Sequence, residues 1–317
     1  MHVGQARKQC GLALIIVLWT AAIITLLASG FTFALRTEAR LAADAVQRAQ
    51  AAAAAEAGIS WLMRELLVPS SGALEADATL SFHDFEVALQ VLPENAKVDL
   101  NAAPEKLLGR LIANTIDELN LDTADAVSIT DALLDWRDAD SARRARGAES
   151  GEYVDAGRSN GPRNGALLSV SELNQVMGLE PALFRALKPL VTVHAWSTRV
   201  APLSASTRVL RAVPGLSYSQ VEQFVAERGE LDNAGQAIRA LSGGARYLAR
   251  SQSAVFTLSA HARSASGVSA QRRAVVKING NLNQPVSILA WYEDVNRDGD
   301  RVSAEQESGP AAAAAEQ

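Results

Sequence analysis

Residues 12–67 read LALIIVLWTAAIITLLASGFTFALRTEARLAADAVQRAQAAAAAEAGISWLMRELL and contain neither a proline nor a clear turn signal. As one helix, about 56 residues rising 1.5 Å each form a rod of roughly 84 Å. Its first part, residues 12–35, carries no charge and is long enough to cross a hydrocarbon core of about 30 Å. The second part, residues 36–68, is rich in alanine and carries charges of both signs, a composition of strong helix formers. The stretch predicts a membrane anchor that continues as a helical stalk.

The leader before this helix, MHVGQARKQCG (residues 1–11), is basic and ends in a glycine. Arg7 and Lys8, with no acid beside them, predict by the positive-inside rule that the N-terminus stays in the cytoplasm and the bulk of the chain is exported. A cleaved secretory signal fits poorly, because its apolar region runs about 7 to 15 residues and ends in a small-x-small site. Cys10 is the single cysteine, so no disulfide can form within the chain.

The junction of Gly11 with Leu12 resembles the prepilin-type leader, in which a membrane peptidase cuts after the glycine and leaves the apolar helix in place. On that resemblance the mature chain begins at Leu12. The fifth mature position is then Ile16, where most pilins and pseudopilins carry a glutamate that meets the N-terminal amine of the neighbouring subunit. A subunit without this acid suits a position with nothing above it, which is the tip. Any single-span anchor can also place a glycine before its helix, so both interpretations stay open.

The stalk carries a stripe of small residues that predicts close approach by other helices. Beyond the stripe its apolar residues become bulkier, from Ile59 to Leu67, which predicts contact with a globular head. The stripe consists of Leu41, Ala45, Ala49, Ala52 and Ala55. The length of 317 residues leaves about 250 for that head. The net charge of −5 argues against a nucleic-acid partner, because phosphate binding relies on a concentrated basic surface.

The head begins and ends with strand-like sequence. Residues 85–91 alternate apolar and polar side chains as a half-buried strand does, and a hairpin through Pro93 predicts a returning strand over residues 97–100. Asn101 is an N-cap candidate for the helix that follows, with Pro104 in its first turn. Three further β-rich segments, SAVFTLSAHARS, GVSAQRRAVVKIN and PVSILAWYED, predict an antiparallel meander near the end of the chain.

The middle of the chain contains a partial repeat. LNAAPEKLL at 100–108 aligns with LSASTRVLR at 203–211, and VMGLEPALFRAL at 176–187 aligns with VPGLSYSQVEQF at 213–224. Each second half places a glycine between two short helices, which resembles helix-hairpin-helix or SAM-like elements. Hairpin amides can hold a DNA phosphate, but few lysines lie near either hairpin, so plain packing is the favoured interpretation.

The order of several short motifs resembles general secretion pathway protein K, the large minor pseudopilin of type II secretion. Each motif is weak alone, but their order across about residues 1–293 is specific. The resemblance depends on the leader with Ile16 and on KVDLNAAP, ALLDWRDAD, GAES, RNGALLSVSELNQVMGLEPALFRALKPLVTV and ILAWYE.

The resemblance implies an α+β fold, in which a pilin-like long N-terminal helix packs on an antiparallel sheet and a large all-α, SAM-like or helix-hairpin-helix-like domain is inserted. The implied divisions are a prepilin-type leader (1–11), a transmembrane part of the helix (12–35), a periplasmic part (36–68), a β-sheet domain (78–100 and 253–293), an inserted helical domain (101–241) and an acidic, alanine-rich tail (294–317).

The resemblance also implies function and partners. Family members cap a short periplasmic pseudopilus, initiate its assembly and aid protein export across the outer membrane. They associate with other minor pseudopilins of the I and J types, and with the major pseudopilin, through the N-terminal helix. The resemblance implies processing and methylation by the prepilin peptidase. It implies a single-pass location in the bacterial inner membrane with the bulk of the chain in the periplasm. It implies no nucleic-acid partner.

The loop from Arg137 to Asn164 is long, polar and acidic, and loops of this length are usually functional or tied by an ion. Hard oxygen ligands at this density suit Ca²⁺, which takes 6 to 8 oxygens. The family pattern resembles D-x-D followed by G-A-E-D; Asp138, Asp140 and Glu149 match it, while Ser150 replaces the last acid. A rival explanation is that the loop's arginines pair with its acids instead of a metal. The arginines are Arg143, Arg144 and Arg146, and further acids nearby are Asp135, Glu152 and Asp155.

A second, weaker calcium candidate lies near the C-terminus and matches the D-x-[DN]-x-[DN]-G-x₅-E loop. Arg301 stands where such loops usually bury an aliphatic residue, and no helical partner follows, so a solvated acidic tail is the alternative. Its ligand candidates are Asp294, Asn296, Asp298, Asp300 and Glu305.

Catalysis finds little support in the sequence. The four histidines lie far apart and in no metal or triad spacing, and there is no phosphate loop or nucleophile elbow. We therefore predict a structural protein rather than an enzyme. Two alternatives stay open: a minor pilin of a type IV pilus, and a membrane-anchored helix-hairpin-helix DNA-binding protein.

Overall fold

A single unbroken helix, α1, dominates the molecule. In the computed structural model, α1 runs from Cys10 to Leu67, and its 58 residues make a rod of about 87 Å. The residues that the structure describes are 10–68, 77–121, 124–231, 233–251, 253–281 and 283–294. All of α1 from Leu14 to Gln50 is exposed, whereas from Ala51 onward one face is buried. The predicted rod is therefore continuous, and only its last quarter rests on the head.

The buried end of α1 lies across a five-stranded antiparallel sheet with strand order β1-β2-β5-β6-β7. The strands are β1 (Asp77–Phe82), β2 (Phe85–Pro93), β5 (Val255–Ser264), β6 (Ser269–Ile278) and β7 (Val286–Asp294). We call the apolar cluster between helix and sheet the sheet core; it is made of Ala51, Ala54, Ala55, Ile59, Leu62, Phe85, Val87, Leu89, Leu258, Ala260, Ala262, Ala274 and Val276.

Small residues let α1 approach the sheet closely. A Cβ at Gly58 would lie 2.8 Å from Leu89 Cδ2 and 3.0 Å from Val87 Cγ1, so only glycine fits there without a shift. The predicted small-residue stripe is thus divided. Ala55 is fully buried against this chain's own sheet, whereas Leu41 and the rest of the stripe up to Ala49 face solvent.

One prediction about the early strands needs correction, and one strand was not predicted. The predicted returning strand does not pair with β2; residues Val98–Asp99 form β3, which runs parallel to β4 (Val191–Thr192) in a separate two-stranded sheet. The physical reason is Glu94, which follows β2 directly. Its carboxylate accepts hydrogen bonds from the buried hydroxyls of Thr192 and Thr257, and this directs the chain away from the edge of β2. The strand that does form a hairpin with β2 is β1, which the alternation pattern did not reveal.

The chain between β2 and β5 forms a helical insert with its own apolar core. Its helices are α2 (Glu105–Leu119), α3 (Ala126–Arg137), α4 (Ser150–Asp155), α5 (Pro181–Leu187), α6 (Thr207–Ala212), α7 (Tyr218–Glu227) and α8 (Ala234–Ala240). Long aliphatic side chains such as Leu107, Leu133 and Leu183 are almost fully buried in what we call the insert core. This core is a cluster separate from the sheet core.

The predicted N-cap of α2 is wrong. The helix begins at Glu105, with Pro104 at the cap position, and Asn101 lies outside it. The Asn101 side chain instead accepts a hydrogen bond from Leu167 N–H (2.8 Å) and donates one to Leu167 C=O (2.9 Å). Asn101, whose local sequence is typical of a helix cap, thus joins two segments that are 66 residues apart.

Both predicted hairpins have glycine in the left-handed region, with φ of +79° at Gly178 and +91° at Gly215. Neither turn is open. A Cβ at Gly178 would lie 3.2 Å from Ile129, and one at Gly215 would lie 2.2 Å from the carbonyl oxygen of Gly243. The hairpins therefore pack against the rest of the insert, which favours packing over phosphate binding.

Candidate functional site: the stalk and the acidic loop

The threonines in the apolar part of α1 form hydrogen bonds within the helix. The hydroxyls of Thr20, Thr25 and Thr32 donate to carbonyl oxygens three or four residues earlier, at 2.8 to 3.0 Å. A hydroxyl bonded in this way does not need water, so the threonines are compatible with lipid. Within the described part of the chain, α1 is the helix long and apolar enough to cross a membrane.

The predicted processing site lies at the start of α1. Gly11 and Leu12 are in its first turn, and Ile16 lies on the exposed part of the rod with 56% of its surface accessible. Cleavage after Gly11 and the role of the missing glutamate stay predictions.

The acidic loop follows α3, and Arg137, the last residue of α3, binds the motif KVDLNAAP at residues 97–104. The Arg137 guanidinium donates to the carbonyl oxygens of Leu100 (2.6 Å) and Ala103 (3.0 Å). Asp99 of the same motif accepts hydrogen bonds from the backbone N–H groups of Asn101 and Ala102, at 2.8 and 2.9 Å. The motif thus fixes where the loop starts.

Asp135 is the most buried acid of this region, with none of its surface exposed. Its two oxygens lie 3.3 and 3.2 Å from Arg144 N–H, which donates to both, and the Arg144 Nε is 3.5 Å away. A Cβ at Gly147 would stand 1.9 Å from Asp135 Oδ2, which explains why glycine opens the GAES motif. Burial raises the pKa of Asp135, and the backbone bond from Arg144 only partly offsets it.

The acids that match the family pattern have buried oxygen atoms without partners. Asp138 Oδ1 and both carboxylate oxygens of Glu149 accept no hydrogen bond, and Glu149 is only 7% exposed. Asp140 differs, because its Oδ1 accepts Ala142 N–H at 2.8 Å. Buried polar atoms are nearly always paired in proteins, so these carboxylate oxygens are the candidate cation ligands of the loop.

The charges in this loop repel each other. Burial, followed by repulsion from Asp140, raises the pKa of Asp138. Burial also raises the pKa of Glu149, and the carboxylates of Asp135, Asp138 and Asp140 raise it further. The carboxyl groups of Asp138 and Glu149 therefore hold their protons more tightly than isolated acids do, unless a cation lies between them.

The loop arginines pair with other acids. Arg143 lies 3.2 Å from Glu152, and Arg146 lies 3.2 Å from Asp125. Arg144 reaches Asp135 and Glu105, both at 3.5 Å. The rival salt-bridge explanation thus holds for the outer acids, whereas Asp138, Asp140 and Glu149 form no ion pair among the described residues.

The donor atoms suit a hard cation by chemistry, although the side chains do not close around one point. No group of three or more His, Cys, Asp or Glu side chains is arranged to hold a metal ion in the part of the chain that the structure describes. One further oxygen is buried and unpaired nearby: Asn164 Oδ1, whose amide nitrogen donates to Asp140 C=O at 2.8 Å. Sequence reasoning missed Asn164, since nothing local marks an asparagine 24 residues away as a neighbour of Asp140.

The second calcium candidate falls mostly outside the described residues. Asp294 ends β7 and pairs with Gln271 across the sheet. The other predicted ligands, Asn296, Asp298, Asp300 and Glu305, lie beyond the last described residue.

The comparison with known proteins agrees with the motif order. A family model described as type II secretion system (T2SS), protein K, matches residues 88–195. The type II secretion system protein K of Dickeya chrysanthemi is 44% identical over 75 residues, which is 24% of this chain and 20% of that protein. The protein of the same name from Pectobacterium carotovorum subsp. carotovorum is 29% identical over 184 residues, 54% of each chain. The chain thus spans about half, or less, of the length of these curated relatives.

A solved structure shares the fold. A chain of the crystal structure of the GspK-GspI-GspJ complex from the enterotoxigenic Escherichia coli Type 2 Secretion System matches with a TM-score of 0.59 at 19% identity. The match covers 82% of this chain and 100% of that one. It confirms the predicted α+β fold with a long N-terminal helix, an antiparallel sheet and a helical insert. The matched region at 88–195 contains both KVDLNAAP and the acidic loop, so the sequence match and the shared fold agree that this chain is similar to type II secretion system protein K.

Proposed function

We propose that this chain is the minor pseudopilin that forms the tip of a type II secretion pseudopilus, initiates its assembly and aids protein export across the outer membrane. The role is structural and needs no catalysis. The observation that carries the proposal is Ile16, an exposed apolar residue on α1 at the position where most pseudopilins carry glutamate. A subunit without that acid cannot dock beneath another copy by the usual charge pair.

The proposed location is the bacterial inner membrane, crossed once by α1. Arg7 and Lys8 favour a cytoplasmic N-terminus and so support a periplasmic location for the sheet and the insert. The prepilin peptidase would cut after Gly11, leave Leu12 as the mature N-terminus and methylate it. Exposed small residues on α1, including Ala45 and Ala49, support close packing by the helices of partners.

The proposed partners are minor pseudopilins of the I and J types and the major pseudopilin. The structurally similar chain comes from a complex named GspK-GspI-GspJ, which supports this choice. DNA is not a proposed partner, because the hairpin turns are covered by the insert itself.

We also propose that the acidic loop holds a calcium ion through Asp138, Asp140 and Glu149. The unpaired buried oxygens of Asp138 and Glu149 support this, and Asn164 Oδ1 supplies a further oxygen of the kind that calcium prefers. The ion would neutralise charges that otherwise repel each other and so fix the loop against the end of α3. Its proposed role is structural.

The test of the tip proposal is copurification together with localisation. Full-length protein is co-expressed with tagged small pseudopilins of the same gene cluster, and pseudopili are labelled with antibody against the insert. We expect the small partners to copurify and the label to lie at one end of the filament. Label along the filament, or a mature N-terminus other than Leu12, would contradict the proposal. Copurification with subunits of a type IV pilus instead would favour the minor-pilin alternative.

Ile16 offers a sharper version of the same test. Ile16→Glu restores the acid that other pseudopilins use, and we expect the variant to appear within filaments as well as at their ends. The matched control is Ile15→Glu, which places the same charge one residue away on another side of the helix. Equal distributions for the two variants would mean that position 16 does not set the tip location.

A further inference from the structure

The sheet core and the insert core remain separate, and the chain passes between them in two segments. The outgoing segment contains the 3₁₀ turn Glu94–Ala96 and Lys97, and the returning segment contains Ser251 and Ser253 before β5. Since no shared apolar cluster joins the two cores in the described residues, the contacts around these segments link the lobes. We call this region the neck.

Asn95 binds the two segments of the neck to each other. Its side-chain amide donates to Ser251 C=O at 3.0 Å, and its side-chain oxygen accepts Ser253 N–H at 3.0 Å. Its own carbonyl oxygen accepts Ala201 N–H, from the insert, at 2.7 Å. One residue thus fixes the outgoing chain against the returning chain and against the insert.

Glu94 joins a residue of the insert to a residue of the sheet. The carboxylate, only 1% exposed, accepts hydrogen bonds from the hydroxyl groups of Thr192 in β4 and Thr257 in β5. Lys97 Nζ lies 2.8 Å from Glu94 Oε1 and donates to Thr257 at 3.1 Å. A buried carboxylate with three donors from both lobes has few other arrangements that satisfy it.

A second polar contact in the neck joins Asp99 to Trp196. Asp99 accepts Trp196 N–H at 2.8 Å and holds Trp196 in the left-handed region, with φ of +47°. The Trp196 ring then lies over Lys277 of β6, with Nζ 5.1 Å from the ring centroid. The strained backbone of a bulky residue indicates that the surrounding structure determines its place.

The charges of Glu94 and Lys97 also favour the hydrogen bonds of the neck. Burial opposes ionisation of Glu94, but the Lys97 ammonium and the hydroxyls of Thr192 and Thr257 outweigh it, so the pKa of Glu94 lies below its ordinary value. His194 interacts electrostatically with Glu94, and burial lowers the pKa of this histidine, so that it is neutral at neutral pH. The neck therefore holds an ion pair with its hydrogen-bonding partners at neutral pH.

We propose that the neck, centred on Glu94, sets the orientation of the helical insert on the sheet, so that the two lobes move as one body only while the Glu94 carboxylate keeps its donors from both. This device is distinct from the stability of either core. It does not depend on the proposed tip function, although a tip subunit would need a fixed insert.

The test measures the distance between the lobes in full-length protein in detergent. Cys10 is first replaced by serine, and spin labels are attached through cysteines at Ala226 in α7 and Ala265 in the turn after β5, both exposed. We expect one narrow distance distribution by double electron–electron resonance. Glu94→Gln and the hydroxyl-to-methyl variant Thr257→Val should lose that single narrow peak while the far-ultraviolet circular dichroism stays the same.

Glu222→Gln is the matched control, because it breaks an ion pair between Arg211 and Glu222 inside the insert, away from the neck. It should keep the narrow peak. Unchanged distances in Glu94→Gln and Thr257→Val would overturn the proposal. Loss of helical signal in Thr257→Val would also overturn it, since the neck would then support the fold of a lobe rather than its orientation.

Discussion

The sheet lobe and the helical insert both rely on close contact at glycine, but what the glycine meets differs. Gly58 of α1 faces the ends of side chains, Leu89 Cδ2 and Val87 Cγ1, which can turn aside. Gly215 of the insert faces the backbone carbonyl of Gly243 at a distance that leaves no room for a Cβ. The insert also depends on polar side chains that bind backbone groups, such as the buried Asp99 and the partly buried Asn101. The helix packed on the sheet tolerates small shifts of the side chains that it contacts. The insert is held by backbone contacts that cannot move without a change of fold.

Gly215→Ala should have the largest effect. The new Cβ would meet backbone at 2.2 Å in a residue with φ of +91°, so we expect a loss of about 4 kcal/mol in the free energy of unfolding. Urea unfolding of the full-length protein in detergent, followed by circular dichroism, measures it. The control is Gly229→Ala, in the same lobe, where nothing lies within 4 Å and the change should be within about 0.5 kcal/mol. Equal losses would mean that the backbone contact is not rigid.

Asp99→Ala should come next. Its carboxylate is 1% exposed and accepts three backbone N–H groups, from Asn101, Ala102 and Trp196. Removing it leaves these donors without a partner, and we expect a loss of about 3 kcal/mol in the same unfolding experiment. Asp84→Ala, at an exposed turn of the sheet lobe, is the control and should change little. A small loss at Asp99 would show that water replaces the carboxylate.

Calcium should stabilise the insert through the acidic loop by about 2.7 kcal/mol when its concentration is a hundred times the dissociation constant. Without calcium, the pKa values of Asp135, Asp138 and Glu149 are raised in the folded state. Acids with raised pKa stabilise the fold below their unfolded pKa and lose that contribution as pH rises through the folded value. The calcium-free protein should therefore gain stability from this loop as pH falls from 7 toward about 5.

Thermal unfolding at several pH values, with calcium or with a chelator, checks this. Calcium should flatten the pH dependence, and Glu149→Gln should abolish the calcium response while raising the stability of the calcium-free protein at pH 7. Glu222→Gln, an exposed acid elsewhere in the insert, should leave the response intact. Absence of any calcium effect at millimolar concentration would end the calcium proposal.

Gly58→Ala should have the smallest effect of the four changes. The added Cβ meets side-chain atoms of the sheet core, Leu89 Cδ2, Val87 Cγ1 and Ala260 Cβ, and no backbone, and alanine also favours the helix, so we expect a net loss of about 1 kcal/mol. Gly30→Ala, in the exposed part of the same helix with nothing within 4 Å, is the control and should not lower stability. A loss at Gly58 as large as that at Gly215 would remove the contrast between the two lobes.

The parts of the fold that the sequence predicted depend on local pattern. Continuous helix-forming sequence predicted α1, alternation predicted β2 and the late strands, and glycine marked both hairpins. The failures share one cause, which is a distant partner. Residues 97–100 were predicted as a returning strand because the sequence does not show that Glu94 binds the hydroxyls of Thr192 and Thr257, 98 and 163 residues away. Asn101 was predicted as a helix cap because the sequence does not show that it binds Leu167.

The candidate site divides in the same way. Asp138, Asp140 and Glu149 were visible as a motif, and the unpaired buried oxygens of Asp138 and Glu149 give the calcium proposal its physical support. Asn164, the separation of the arginines from these three acids and the role of Gly147 appear only in the folded chain. A motif shows which chemical groups are near in sequence, but not which of them are buried or already paired.

The sequence alone determined the long apolar helix, its continuation as a stalk and the resemblance to type II secretion system protein K, because helix propensity, hydropathy and motif order are properties of neighbouring residues. Only the tertiary structure decided that the stripe on α1 is divided between its own sheet and solvent, that two apolar cores remain separate, and that the neck at Glu94 joins them. The physical reason is that burial and hydrogen-bond pairing depend on residues far apart in the chain, and these become neighbours only when the chain folds.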